Sequence, residues 1–121
     1  MKKQMILLAI NIIFSMIATT HASSNTVRIT EFSNDKVNVW RTTILPGTSQ
    51  ILKMHRHDYN RVLVAFDDGV LKIKNNKGDI HYLNLVKNKA YYLKKDLLDE
   101  IHSDENVTDH SISVLVTELK Y

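Results

Sequence analysis

Short β-type segments follow one another along most of the chain, and hardly any helical pattern separates them. Residues 37–45 are rich in β-branched side chains and end at Pro46-Gly47, a strong turn signal. Within residues 61–66, a continuous apolar run follows Arg61, and the turn residues at 67–69 end it. About seven to nine such short strands at close spacing predict an all-β fold, an antiparallel sandwich or barrel.

The N terminus has the three-part layout of a secretory signal peptide over residues 1–22. A short basic start precedes the mostly apolar run 5–18, and small side chains follow at Thr20 and Ala22. A membrane anchor is the alternative, but it needs roughly 20 apolar residues to span a bilayer, and this run is shorter. We therefore predict export to the periplasm or outside a bacterial cell, no membrane anchor after cleavage, and a single domain over 23–121.

Charge and cysteine content exclude several classes of function. The chain has 16 basic and 13 acidic residues, and removing Lys2 and Lys3 with the signal peptide leaves 14 against 13, a net charge of +1. A nearly neutral domain lacks the positive footprint that nucleic-acid binding needs. Because the chain contains no cysteine, thiol nucleophiles, thiolate metal sites and disulfides are excluded.

Two histidines, His55 and His57, are separated by one residue within a strand predicted over 49–57. Alternate side chains of a strand point to the same face, which places their Cβ atoms roughly 6–7 Å apart. Both imidazoles can then bind one metal ion at about 2.1 Å each. The alternative is a pair of solvent-facing histidines near the end of a strand, so a third ligand is needed to support a metal site.

The surroundings of this pair resemble the first motif of the cupin superfamily, G-x(5)-H-x-H-x(3,4)-E-x(6)-G. His55 and His57 match its two histidines, Gly69 stands near the position of its last glycine, and Gly47 precedes the pair two residues further away than usual.

A more degraded match to the second cupin motif, G-x(5)-P-x-G-x(2)-H-x(3)-N, follows downstream. His102 and Asn106 reproduce its H-x(3)-N ending. Asn88 and Lys94 keep its five-residue gap but replace its Gly and Pro, and the second Gly is missing.

The resemblance covers about residues 44–119 and implies a double-stranded β-helix, the jelly-roll barrel of cupins. It implies a divalent transition metal (Fe, Mn, Ni or Zn) bound by His55, His57 and His102. Cupins include dioxygenases, isomerases and epimerases, so the resemblance leaves the reaction open. It also implies a small-molecule ligand and a homodimer.

Arg61 stands where cupins usually have a metal-binding glutamate. A guanidinium stays protonated and has no lone pair to donate, so Arg61 is excluded as a ligand. In one interpretation the three histidines hold a metal and Arg61 binds an anionic substrate beside it. In the other, the site has lost its metal, and Arg61 and the imidazoles hold a neutral or anionic molecule such as a sugar. Tyr91 and Tyr92 point to opposite faces of a strand, and we assign Tyr92 to the cavity mouth as a second substrate contact.

The remaining polar residues are given structural roles. Asn106 is expected to bond the backbone, and the sole tryptophan, Trp40, is expected in the core. Residues 94–101 are predicted to form a loop. The acidic residues Asp99, Glu100, Asp104 and Glu105 match no EF-hand spacing and are predicted to lie in solvated loop structure.

Overall fold

The computed structural model describes residues 25–121, and the predicted signal peptide over 1–22 lies outside them. The described part is all-β, as predicted, with nine strands and one short 3-10 turn, Thr48–Gln50. The strands are β1 (Val27–Ser33), β2 (Val37–Ile44), β3 (Leu52–His55), β4 (Arg61–Ala65), β5 (Gly69–Asn75), β6 (Ile80–Leu85), β7 (Ala90–Leu93), β8 (His102–Asn106) and β9 (Ile112–Leu119). No helix of these described residues is long and apolar enough to cross a membrane.

The strands form two antiparallel sheets. One has five strands in the order β1-β2-β9-β4-β7, and the other has four in the order β3-β8-β5-β6. Strand β9 lies in the centre of the larger sheet, and its inward residues Ile112, Val114 and Val116 are buried between more exposed neighbours. This period of two is the pattern of a strand with one face on the core.

The core lies between the two sheets and is built from apolar residues of both. Its buried members are Trp40, Ile44, Leu63, Ala65, Leu71, Leu85, Ile112, Val114 and Val116. Gly69 is required at the start of β5 because a Cβ there would collide with the side chain of Ile112.

Asn106 has the structural role expected of it. Its side chain is almost fully buried, and its Nδ2 donates to the carbonyls of Ile44, at 2.9 Å, and His110, at 2.7 Å. Its Oδ1 accepts a hydrogen bond from the N–H of Thr108 at 2.9 Å. The residue therefore links β8 of the smaller sheet to β2 of the larger sheet.

The strand predicted over 49–57 is shorter than expected, and this part of the prediction is wrong. Strand β3 covers Leu52–His55 only, because Thr48–Gln50 take the 3-10 turn and the chain leaves the sheet after His55. Leu52 pairs with Asp104 and His55 with His102, with an irregularity of register between them. His55 and His102 therefore lie opposite each other, while His57 reaches the same place from a loop.

Candidate metal centre

The two sheets enclose a cavity of about 380 Å³, and the candidate residues gather in it. Most of its wall is apolar, from side chains such as Leu63, Leu71 and Val116. The polar and charged residues that line it are Arg28, Thr42, Lys53, His55, His57, Arg61, His102 and Asp104.

The three predicted histidines come together in this cavity. The ring centroids of His55 and His102 are 4.6 Å apart, those of His55 and His57 4.8 Å, and those of His57 and His102 5.3 Å. One ring nitrogen from each lies within 4.8 Å of the other two. The group could hold a metal ion, although His55 and His102 are 47 positions apart in the sequence.

Backbone and carboxylate acceptors orient two of the rings. The Nδ1 of His55 is 2.7 Å from the carbonyl oxygen of Lys53, and the Nδ1 of His102 is 3.2 Å from Oδ2 of Asp96. Because a carbonyl oxygen only accepts hydrogen bonds, the Nδ1 of His55 carries the proton and its Nε2 keeps its lone pair, and the carboxylate beside Nδ1 of His102 favours the same arrangement there. Metal-binding histidines are commonly oriented in this way.

Asp96, in the 94–101 loop, fixes the third ring through the backbone. Its Oδ2 accepts a hydrogen bond from the N–H of His57 at 2.7 Å, and its own N–H donates to the His57 carbonyl at 2.9 Å. The imidazole of His57 lies parallel to the ring of Trp40, with centroids 6.1 Å apart. One loop residue thus holds two of the three histidines.

The environment keeps the imidazoles of His57 and His102 neutral. Burial, and then the charges of Arg61 and the other two histidines, lowers the pKa of His57 to about 2. Burial also lowers the pKa of His102, although Asp104 and Asp96 oppose the shift. A neutral ring has the free lone pair that a metal ligand needs.

Arg61 lies at the start of β4, with only 8% of its surface exposed. Its Nη1 is buried and finds no hydrogen-bond partner within residues 25–121. Burial lowers its pKa, whereas the charges of Asp96, Asp104 and Glu118 raise it. The arginine therefore brings a permanent positive charge and a free donor to the cavity.

Asp104 is a site residue that the sequence analysis missed. It lies in β8 and contacts both His55 and His102, so its assignment to a solvated loop is wrong. Burial raises the pKa of its carboxyl group, and His102 and His55 oppose that shift. The spacing His102-x-Asp104 was the available sequence signal, since residues two apart in a strand face the same way.

Tyr92 is not brought to the cavity. It lies in β7 with 59% of its surface exposed and is not among the lining residues, whereas Tyr91 packs against the core. A substrate contact by Tyr92 stays a prediction. Trp40 is buried as expected, and it also forms part of the cavity wall, with the guanidinium carbon of Arg28 3.7 Å from its ring centroid.

No protein-family model matches the chain, and no curated protein matches it either. Solved structures do. A cupin domain from Bordetella pertussis Tohama I superposes with a TM-score of 0.69 at 21% identity, over 80% of this chain and 95% of that one.

Two further structures agree. A Klebsiella pneumoniae protein of uncharacterized function with a double-stranded β-helix domain gives a TM-score of 0.60 at 13% identity, over 82% of this chain and 80% of that one. An RmlC-like cupin family protein from Methanocaldococcus jannaschii gives a TM-score of 0.57 at 10% identity, over 79% of this chain and 83% of that one. At such low identities the likeness establishes the fold, and the predicted double-stranded β-helix is confirmed.

Proposed function

We propose that this cupin-fold protein binds a divalent transition metal through His55, His57 and His102, and a small anionic molecule beside it through Arg61. The observation that carries the proposal is that one cavity holds three close imidazoles and a buried guanidinium whose Nη1 has no hydrogen-bond partner within residues 25–121. Neither group is explained by packing, because a core position favours an apolar side chain.

The donor set fits a transition metal. Neutral imidazoles suit iron, nickel, zinc and manganese, and the orientation of His55 and His102 leaves Nε2 of each ring free. When bound, such a metal would act as a Lewis acid on an oxygen atom of the ligand. The protein's own contribution would be to hold the rings neutral and to exclude most water from the cavity.

Arg61 fits an anionic group of the ligand. A buried donor without a partner costs about 1–3 kcal/mol, and more for a charged group, so binding an acceptor there is favourable. A carboxylate or phosphate can accept two parallel hydrogen bonds from one guanidinium. Since most of the remaining wall is apolar, the matching ligand has one anionic group on a small apolar body.

A metal-free binding module is the second candidate. The positive charge of Arg61 favours it, because this charge lowers the pKa of His57 and would equally repel a cation nearby. The two candidates differ in one respect, which is whether the binding of an anion depends on metal.

Calorimetric titration with Zn²⁺ tests the metal site. We expect about one ion per chain. We expect His102→Ala to weaken Zn²⁺ binding by at least about tenfold, because mutating even a residue that only supports a metal ligand lowers metal affinity by that factor. His81→Ala, which changes an exposed histidine of β6, is the matched control. Equal binding by wild type and His102→Ala would refute the metal site.

A second titration with benzoate, a carboxylate on an apolar body, tests the anion site with and without Zn²⁺. Arg61→Met should abolish benzoate binding, and Lys87→Met, an exposed cation, should leave it intact. Binding that needs Arg61 but is indifferent to Zn²⁺ would favour the metal-free module. Binding that survives Arg61→Met would refute the anion site.

Export is also part of the proposal, supported by the basic and apolar N terminus. The intact mass of the protein recovered from its native compartment should correspond to a chain that begins at Ser23. A recovered mass that includes residues 1–22 would contradict cleavage.

A further inference from the structure

We propose that Asp104 is a fourth metal ligand and supplies the carboxylate that the position of Arg61 lacks. The inference rests on the proposed metal site and adds a residue to it. Cupins usually take this carboxylate from the strand that here begins with Arg61, and in this chain it would come from β8 instead.

The position of Asp104 directs its side chain into the site. Asp104 follows His102 by two residues in β8, so both side chains point to the same face of the sheet. It pairs with Leu52 of β3 on one side and Ile73 of β5 on the other, in the middle of the four-stranded sheet. Only 13% of its side chain is exposed, and it lines the cavity.

The distances fit metal ligands better than hydrogen bonds. Oδ2 of Asp104 is 3.4 Å from Nε2 of His55, and Oδ1 is 3.8 Å from Nε2 of His102. Both exceed the usual N–H···O range of about 2.7–3.2 Å. Ligand atoms around a tetrahedral ion with bonds of about 2.1 Å lie about 3.4 Å apart. Oδ2 therefore stands from His55 at the separation that a shared ion requires, and Oδ1 stands somewhat further than that from His102.

The nitrogens that face Asp104 are the ones with free lone pairs. The carbonyl of Lys53 accepts the Nδ1 proton of His55, and the Nδ1 of His102 faces Oδ2 of Asp96, so that Nε2 of both rings lies toward Asp104. The two nitrogens thus face the two oxygens of one carboxylate, Oδ2 toward His55 and Oδ1 toward His102. A ring nitrogen of His57 lies within 4.8 Å of one in each of the other two rings and would complete a set of three imidazoles, to which Asp104 comes close at His55 and His102.

Charge compensation supports the same assignment. A divalent cation beside Arg61 and three neutral rings would put three positive charges into a largely apolar cavity, which is costly without a counter-charge. Arg28 and Lys53 add further positive charge to the cavity lining. Asp96 is already engaged by His57 and His102, so Asp104 is the carboxylate available to the ion.

The test uses Co²⁺, whose visible absorption reports its ligands, and Zn²⁺ affinity on the full protein. Asp104→Asn and Asp104→Ala are compared with Glu105→Gln, the next residue of β8, which points to the opposite face. We expect both Asp104 variants to bind Zn²⁺ at least about tenfold more weakly and to shift the Co²⁺ bands. Glu105→Gln should match the wild type. Unfolding midpoints of the metal-free variants check that each is folded.

The outcomes separate this inference from the proposed function. If His102→Ala loses metal while both Asp104 variants keep wild-type affinity and an unchanged Co²⁺ spectrum, Asp104 is not a ligand and the histidine site stands. Weaker binding with an unchanged spectrum would also overturn the inference, because Asp104 would then act through its charge alone. If the wild type itself takes up no metal, the proposed function fails and this inference fails with it.

Discussion

The two ends of the space between the sheets differ sharply, although the same strands form both. Strand β4 begins with Arg61 at the cavity end, defined here by His55, Arg61 and His102, and finishes with Ala65 at the closed end. Ala65, Leu85 and Ile112 define the closed end, where Ala65 and Ile112 are completely buried. Side chains fill the interior at the closed end, and at the cavity end they leave a cavity of about 380 Å³.

The difference shows how the fold separates stability from binding. Dense apolar packing contributes to the free energy of folding, and buried polar groups without partners subtract from it. Arg61, whose Nη1 has no partner within residues 25–121, is therefore expected to cost stability in the absence of a ligand, and the closed end compensates that cost. Four predictions test this comparison.

Ile112→Ala should lower the free energy of unfolding by about 2–5 kcal/mol, because it opens a void at the closed end. The side chain is completely buried and packs against Gly69, so the site cannot easily collapse. Urea denaturation measures the loss, with the half-exposed Ile80→Ala as the control. Zn²⁺ affinity of the folded protein should not change. If Ile112→Ala lowers the free energy of unfolding no more than Ile80→Ala does, the dense packing of the closed end is contradicted.

Arg61→Met should raise the free energy of unfolding by about 1 kcal/mol, since it removes a buried donor that has no partner. The same urea titration measures it, without any added anion, and Lys87→Met should be neutral. Marked destabilisation would mean that Arg61 supports the fold. The claim that the cavity end of β4 costs stability would then be wrong.

Acid should destabilise the metal-free protein. The pKa of His57 is lowered to about 2 in the folded state, while the unfolded chain titrates near 6.5. Below about pH 6.5 the unfolded state binds more protons, so stability is fully present above that pH and falls as the pH falls toward 2. Thermal unfolding between pH 7 and 4 should show this, with His57→Gln less sensitive. Equal sensitivity of both proteins would contradict a buried neutral His57.

The pKa of His110 should be shifted in the opposite direction to that of His57. His110 lies in the loop between β8 and β9, where its carbonyl accepts a hydrogen bond from Asn106. Its ring nitrogens contact Asp109 and the carbonyl of Asp68, which raises the pKa of His110 above 6.5. This small stabilisation is present below pH 6.5 and lost as the pH rises through the folded pKa. An NMR pH titration should therefore find His110 above 6.5, and Asp109→Asn should lower it. A pKa for His110 below 6.5 would remove the contrast with His57.

The parts predicted correctly depend on local pattern. Alternation and turn residues indicated the strands, and the motif spacing of His55, His57 and His102 indicated the shared cavity. The late start of β3 at Leu52 was missed because the 3-10 turn of Thr48–Gln50 before it is fixed by contacts distant in sequence. Gln50 accepts hydrogen bonds from the N–H and hydroxyl of Thr26.

Asp96 and Asp104 were missed for different reasons. Asp96 reaches His57 from 39 residues away through a loop, and no periodic pattern reports such a contact. Asp104 did carry a signal, its spacing from His102, but neighbouring acidic residues made the segment look like a solvated loop. Strand pairing with β3 and β5 overrode that local preference.

The most direct test of the central claim is the ¹⁵N spectrum of the histidine rings, recorded with and without one equivalent of Zn²⁺. One ring nitrogen in each of His55, His57 and His102 should change its chemical shift, and Nε2 should be the responding atom in His55 and His102. The signals of His81 and His110 should stay in place. Unchanged rings at 55, 57 and 102, or responses at His81 and His110 instead, would contradict a three-histidine metal site.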